Sequence, residues 1–70
     1  MVKTLVLLIL LFDGTLIKKE INFPLKVSVE GCFNYAKMYR EATSKYQGPG
    51  LNEGWYLNDK TGTYQGFICE

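Results

Sequence analysis

The sequence predicts a single α+β domain in which one amphipathic helix packs on a four-stranded, mainly antiparallel sheet. Three observations support this: an apolar N-terminal run followed by alternating residues, a helical periodicity in the middle, and two aromatic-rich segments near the end. The 70 residues suffice for one domain, which we place at 1–70, and not for two. A chain of this size buries only about 60% of its unfolded surface, so a crosslink or a partner is expected to add stability.

The N-terminal part of the chain has the pattern of a β-hairpin. An apolar run from Leu5 to Phe12 stops at Asp13-Gly14, a pair typical of a two-residue type I′ turn, in which both central residues need positive φ. We expect residues Val2–Phe12 to pair antiparallel with Thr15–Phe23. The first strand is apolar on both faces, which fits a central strand. Pro24 has no N–H for a continuing ladder and is expected to end the second strand.

In the second strand, alternate positions predict which side chains face the core. One set is mostly apolar, as in a half-buried strand. It comprises Thr15, Ile17, Lys19, Ile21 and Phe23.

Two other interpretations of the apolar run remain open. A signal peptide has a similar charged start and short apolar centre, but no small-x-small cleavage site follows the run. The run is far shorter than the roughly 20 apolar residues that a transmembrane helix needs, which leaves a segment lying on a membrane as the third interpretation. On the hairpin interpretation, no membrane contact is expected.

A helix is predicted from about Ser28 to Tyr46. Ser28 is a suitable N-cap, and Glu30 lies where the helix dipole favours a negative charge. Gly31 costs some helicity and suggests a close approach by a neighbouring strand. A stripe of side chains recurs at spacings of three and four, namely Val29, Cys32, Ala36, Tyr39, Thr43 and Tyr46, widened by Tyr35 and Ala42. The opposite face is polar, with Asn34, Lys37, Glu41 and Lys45.

The C-terminal part predicts a second hairpin and completes a ββαββ order. A loop at Gln47–Gly54 precedes two predicted strands, Trp55–Leu57 and Thr63–Cys69. The five residues from Asn58 to Gly62 form the connecting loop, with Gly62 expected to adopt positive φ. Gly66, inside the last strand, indicates a bulge or tight packing against the helix.

The two cysteines, Cys32 and Cys69, allow one intramolecular disulfide. It would close a loop of about half the chain and would suit an oxidising compartment or the exterior of a particle. The alternative is a pair of buried thiols, because free cysteine is among the most buried residue types.

Composition excludes several function classes. The absence of histidine removes the commonest general base and the commonest metal ligand. We therefore predict no catalytic residues, no metal, no cofactor and no small-molecule substrate. The formal charge is +1, and the one basic pair, Lys18-Lys19, is followed at once by Glu20. This balance argues against nucleic-acid binding, which depends on neutralising phosphates.

Aromatic residues of the second hairpin are the candidate binding surface. They are Trp55, Tyr56, Tyr64 and Phe67. Tyrosine and tryptophan are enriched at binding hot spots, and about half of these side chains should face away from the helix. The alternative is that the rings only stabilise the hairpin. We expect a protein partner or self-association through the sheet face that the helix leaves uncovered, centred on the first strand.

The layout as a whole resembles that of small uncharacterised proteins of bacteriophages and marine bacteria. The residues that carry it are Asp13-Gly14, Phe23-Pro24, Ser28 with Cys32, and Gly66-Phe67-Ile68-Cys69. The resemblance implies a phage-encoded or host-encoded accessory protein and half-cystine roles for Cys32 and Cys69. It suggests a virion component or an inhibitor of a host enzyme, acting in the virion or the host cytoplasm. The alternative is an exported, disulfide-stabilised envelope protein.

Overall fold

The computed structural model describes residues 1–50 and 52–70, so Leu51 of the predicted loop lies outside the described residues. In this part of the chain, one helix packs on a five-stranded antiparallel sheet with strand order β2-β1-β5-β4-β3. The elements are β1 (Val2–Leu11), β2 (Leu16–Val27), α1 (Val29–Thr43), β3 (Ser44–Gln47), β4 (Gly54–Leu57) and β5 (Gly62–Cys69). The predicted α+β class is confirmed, with one strand more than expected.

β1 is an interior strand of the sheet, and α1 covers one of its two apolar faces. β1 pairs antiparallel with β2 on one side and with β5 on the other. Leu5 and Leu7 point towards α1 and form the core with Cys32 and Ala36. Because side chains alternate along a strand, the even-numbered residues from Thr4 to Leu10 lie on the face that α1 does not cover. Val2, beyond the register shift between Val2 and Thr4, belongs to the core cluster.

β2 continues through Pro24 to Val27, so the prediction that Pro24 ends this strand was wrong. Val2 pairs with Val27 while Thr4 pairs with Asn22, and the register shifts between these two pairs. β2 is also an edge strand with no neighbour beyond it among the described residues. Proline is tolerated at edges and irregularities, where its missing N–H breaks no ladder hydrogen bond.

The first hairpin has a three-residue loop rather than the predicted two-residue turn. The Leu11 N–H donates to the Thr15 carbonyl, and the Gly14 N–H donates to the Leu11 carbonyl. Phe12, Asp13 and Gly14 therefore form the loop, and the positive φ within it, +92°, belongs to Gly14. A type I turn followed by a left-handed glycine is the usual form of such a loop.

The second hairpin corrects the role predicted for Gly62. The positive φ in this turn, 62°, occurs at Lys60, whose N–H donates to the Leu57 carbonyl. Gly62 begins β5 and pairs with Leu11 of the central strand. A Cβ at Gly62 would lie 2.3 Å from the Leu10 carbonyl oxygen, so close backbone approach, not positive φ, requires glycine there.

Both loops hold an aspartate whose charge favours folding. Asp13 accepts a hydrogen bond from the Thr15 N–H, and Asp59 accepts bonds from the hydroxyl and N–H of Thr61. These bonds lower the pKa of both carboxyls, because they stabilise the ionised form. A folded-state pKa below the unfolded one gives stability that is present above the unfolded pKa and lost as pH falls through the folded pKa.

We expect the double variant Asp13→Asn/Asp59→Asn to lose less stability than the wild type on acidification below about pH 4. The asparagine oxygens keep the acceptor but do not titrate in this range. Urea unfolding at neutral and acidic pH measures the difference. The prediction fails if both proteins lose the same stability over that range.

The helix ends at Thr43, three residues before the predicted end. The hydroxyls of Thr43 and Ser44 donate to the carbonyls of Tyr39 and Arg40, and the Asn58 N–H donates to the Thr43 carbonyl. These bonds occupy carbonyls at the helix end, where no further helical N–H can reach them. Ser44 becomes extended and the following residues form β3, the unpredicted fifth strand, which pairs with β4.

The surfaces of the helix partly match the prediction. Lys37 and Glu41 are exposed, as expected for the polar face. Lys45, predicted on that same face, instead lies in β3 opposite Tyr56. Tyr46, predicted at the end of the buried stripe, also lies in β3.

Two further glycines test the expectations about close packing. A Cβ at Gly31 would lie 3.1 Å from the Ser28 hydroxyl, which caps the helix by accepting from the Gly31 N–H, so its nearest neighbour is the cap and not a strand. At Gly66 the predicted bulge is confirmed, because Leu8 pairs with Gly66 while Ile9 pairs with Tyr64. Apart from the two chain neighbours, no described residue has an atom within 4 Å of a Cβ at Gly66, so the alternative of tight packing there was wrong.

The predicted disulfide between Cys32 and Cys69 is present in the structure, with the two Cα atoms 6.2 Å apart. Cys32 lies near the start of α1, and Cys69 ends β5 opposite Leu5 of the central strand. The bond therefore joins the helix covalently to the middle of the sheet.

Candidate functional site

The structure divides the four predicted binding residues between the two faces of the sheet. Phe67 is paired with Leu7 of the core face, and Tyr64 is paired with both Ile9 and Trp55, so these three aromatic residues lie on the helix side. Tyr56 lies on the uncovered face. One of the four residues, rather than about half, faces away from the helix, so they do not share one surface.

The three aromatic residues on the helix side converge on a cavity of about 150 Å³. The rings of Trp55, Tyr64 and Phe67 line it, with Leu7 as its apolar floor. The bulge residues Gln65 and Gly66 complete the wall.

Arg40 of α1 is the charged residue of this cavity. Its guanidinium carbon lies 4.2 Å from the centre of the Trp55 ring, a cation–π stack. Tyr46 packs on the same indole, with ring centres 5.4 Å apart. The Arg40 Nε is buried and has no hydrogen-bond acceptor among the described residues.

Sequence reasoning missed Arg40, although a signal was available. Arg40 lies four residues after Ala36 and three before Thr43, and both of these belong to the predicted buried stripe. This phase places its side chain against the sheet rather than in solvent. It is also the one arginine in the sequence.

Two other polar contacts join the helix to the sheet. The Tyr64 hydroxyl lies 2.6 Å from the Thr43 hydroxyl, and the Lys19 ammonium donates to the Tyr39 hydroxyl. The bond to Tyr39 raises the pKa of Lys19, because the phenol oxygen stabilises the charged amine. Arg40 therefore differs from Lys19 in having a buried donor without an acceptor.

The uncovered face of the sheet carries several exposed apolar side chains. We call them the open-face patch: Leu10 (37% exposed), Ile68 (49%), Leu16 (55%) and Phe12 (61%). Leu16 pairs with Leu10, and Ile68 pairs with the even-numbered Val6. The Phe12 ring lies beside the Tyr56 ring, with ring centres 6.1 Å apart. Val6 itself is buried, so the patch surrounds the middle of β1 instead of being centred on it.

Residues 1–50 and 52–70 contain no group of three or more histidine, cysteine, aspartate or glutamate side chains able to hold a metal ion. No helix in these ranges has both the length and the apolar character needed to cross a membrane.

Comparison of the chain with protein-family models, with curated proteins and with solved structures gave no match.

Proposed function

We propose that this protein is a small, non-catalytic protein-binding module that uses the open-face patch. The observation that supports this is the exposure of four large apolar side chains on the one sheet face without a covering helix. An exposed apolar cluster of this kind typically marks an interaction surface in a small protein. Such binding would suit a component of a particle or an inhibitor of an enzyme.

A second copy of the chain is the partner that we propose for this patch. The formal charge is only +1, so two copies repel each other weakly. The patch lies on the flat face of a sheet, and two such faces can pack against each other with aligned strands, as in a sandwich. The exposed Lys37 and Glu41 are on the outer side of α1, away from this contact.

The double variant Phe12→Ser/Ile68→Thr tests the proposal. Phe12 lies in a loop, and threonine keeps the β-branched shape of Ile68, so both changes remove apolar contact area while preserving the fold. We expect the wild type to dimerise with increasing concentration and the double variant to stay largely monomeric. Size-exclusion chromatography with light scattering over a concentration series measures this.

Two control variants make the test specific. Met38→Gln removes an apolar side chain that is 60% exposed on the helix surface, and Lys37→Glu reverses a charge there. Both should dimerise like the wild type, and circular dichroism should show that all variants are folded. A wild type that is monomeric at every concentration, or a double variant that dimerises equally well, would contradict the proposal.

A second candidate function is that of an exported envelope protein, favoured by the disulfide between Cys32 and Cys69. Disulfides persist in oxidising compartments and are rare in reducing ones. We propose this candidate with residues 2–11 retained, since they form the central strand of the sheet. Intact mass of the natural protein tests it, because loss of the first ~20 residues, typical of signal-peptide cleavage, would contradict the retained strand.

A further inference from the structure

We propose that the cavity beside Arg40 is a binding site for a carboxylate carried by one small apolar group, such as a single aromatic ring. This site is separate from the open-face patch, because its aromatic residues lie on the helix side of the sheet. The proposal therefore goes beyond the proposed function, and either can fail without the other.

The size and the lining of the cavity define the apolar part of the ligand. A dry cavity of about 150 Å³ lined by apolar side chains is known to accept benzene, and this cavity has about the same volume. The rings of Tyr64 and Phe67 and the side chain of Leu7 provide apolar walls. One aromatic ring or one branched alkyl group fills such a space, whereas a nucleotide or a sugar chain is too large.

The guanidinium of Arg40 defines the charged part of the ligand. Its N–H groups lie in the plane of the guanidinium, so stacking on the face of Trp55 leaves them directed sideways, where an acceptor can reach them. The buried Nε has no acceptor among the described residues, and an unsatisfied buried donor of this kind requires an explanation. The two terminal nitrogens are not enclosed as Nε is, and a carboxylate that binds both of them makes two parallel hydrogen bonds with the guanidinium.

Two classes of ligand carry a carboxylate together with one small apolar group. A free aryl or alkyl carboxylic acid has both parts, and so does the C-terminal residue of a peptide that ends in phenylalanine or leucine. Benzoate represents the first source and a short peptide with a free C-terminal phenylalanine represents the second. Benzamide and the C-terminally amidated peptide are the matched neutral controls, since they keep the shape and remove the charge.

Trp55 provides the signal for the experiment. It is the single tryptophan of the chain and its ring lines the cavity, so its fluorescence responds to changes there. We expect benzoate or the free peptide to change the emission saturably and benzamide and the amidated peptide to leave it unchanged. Binding of the peptide with no response to benzoate would identify a protein C-terminus as the source, whereas binding of benzoate alone would identify a small free acid.

Variants separate the role of Arg40 from that of general charge. Arg40→Gln should weaken binding by roughly tenfold or more, the effect of losing hydrogen bonds to a charged group. Lys37→Gln removes the same charge from the exposed side of the helix and should bind like the wild type. Because Arg40→Gln also changes the surroundings of Trp55, titration calorimetry repeats the measurement without relying on fluorescence, and thermal unfolding shows that the variant is folded.

The outcomes decide the proposal in each case. Saturable binding of a carboxylate ligand that is lost in Arg40→Gln and kept in Lys37→Gln supports it. The proposal is overturned if neither carboxylate ligand binds. It is also overturned if the neutral controls bind equally well or if Arg40→Gln binds like the wild type.

Discussion

Replacing Gly62 with alanine is expected to destabilise the protein by about 3 kcal/mol, because overpacking at this position meets backbone that cannot move aside. The new Cβ would lie 2.3 Å from the Leu10 carbonyl oxygen and 2.8 Å from the Leu11 Cα. Both atoms belong to the end of the central strand. Relief of the clash requires β5 to separate from β1, which breaks the ladder on which the core depends.

Gly66→Ala is the matched control, since Gly66 lies in the same strand. Apart from the two chain neighbours, no described residue has an atom within 4 Å of a Cβ at Gly66, and the φ of Gly66 lies outside the left-handed region. Alanine there restricts the unfolded chain, so we expect no loss of stability and a gain of up to about 1 kcal/mol. Chemical unfolding followed by circular dichroism compares both variants with the wild type. If the two substitutions change the free energy of unfolding by similar amounts, the close approach of the backbone is not the reason for glycine at position 62.

The two glycines also show what sequence reasoning can and cannot resolve. Glycine within a predicted hairpin signals that the backbone needs special freedom, and this was correct for Gly14 and for the bulge at Gly66. The reason for Gly62 was wrong, because the need for glycine arises from Leu10, a residue 52 positions away that is brought close by strand pairing. A single sequence carries no direct record of such a contact.

The same limit explains the element that the sequence did not predict. The start of α1 at Ser28 depends on neighbouring residues and was predicted from them, as was the antiparallel pairing of β1 with β2. The end of α1 depends partly on Asn58, whose N–H bonds to the Thr43 carbonyl from the far hairpin. Helical spacing continued to Tyr46, so nothing local indicated that Ser44–Gln47 would become a strand.

For the candidate site, residue types were easier to predict than their arrangement. Trp55, Tyr64 and Phe67 were singled out by composition and strand pattern, and the structure brings them together. Their common face is set by the register of β5 with its neighbours, including a bulge whose exact place shifts every later side chain. Arg40 joins them only because the helix crosses the sheet at that point.

The stability of the helix on the sheet is expected to depend strongly on the disulfide. In α1, Cys32 and Ala36 are the buried residues, so the apolar area that holds the helix in place is small. The bond between Cys32 and Cys69 spans 37 positions of the chain. Closing a loop of this length stabilises the folded state by about 3–4 kcal/mol in the chain-entropy model, a large share of the stability of a small domain.

We therefore expect reduction of the wild type to lower its melting temperature by at least about 10 °C, the shift that a loss of this size produces in a domain of under 100 residues. The comparison of oxidised with reduced wild type isolates the crosslink, because both forms keep the two sulfur atoms. The variant Cys32→Ser/Cys69→Ser should melt lower still, since Cys32 is fully buried and serine adds a hydroxyl to the core. Intact mass, which rises by two hydrogen atoms on reduction, verifies the starting state. If the oxidised and reduced proteins melt at the same temperature, packing of the helix, and not the covalent bond, holds it against the sheet.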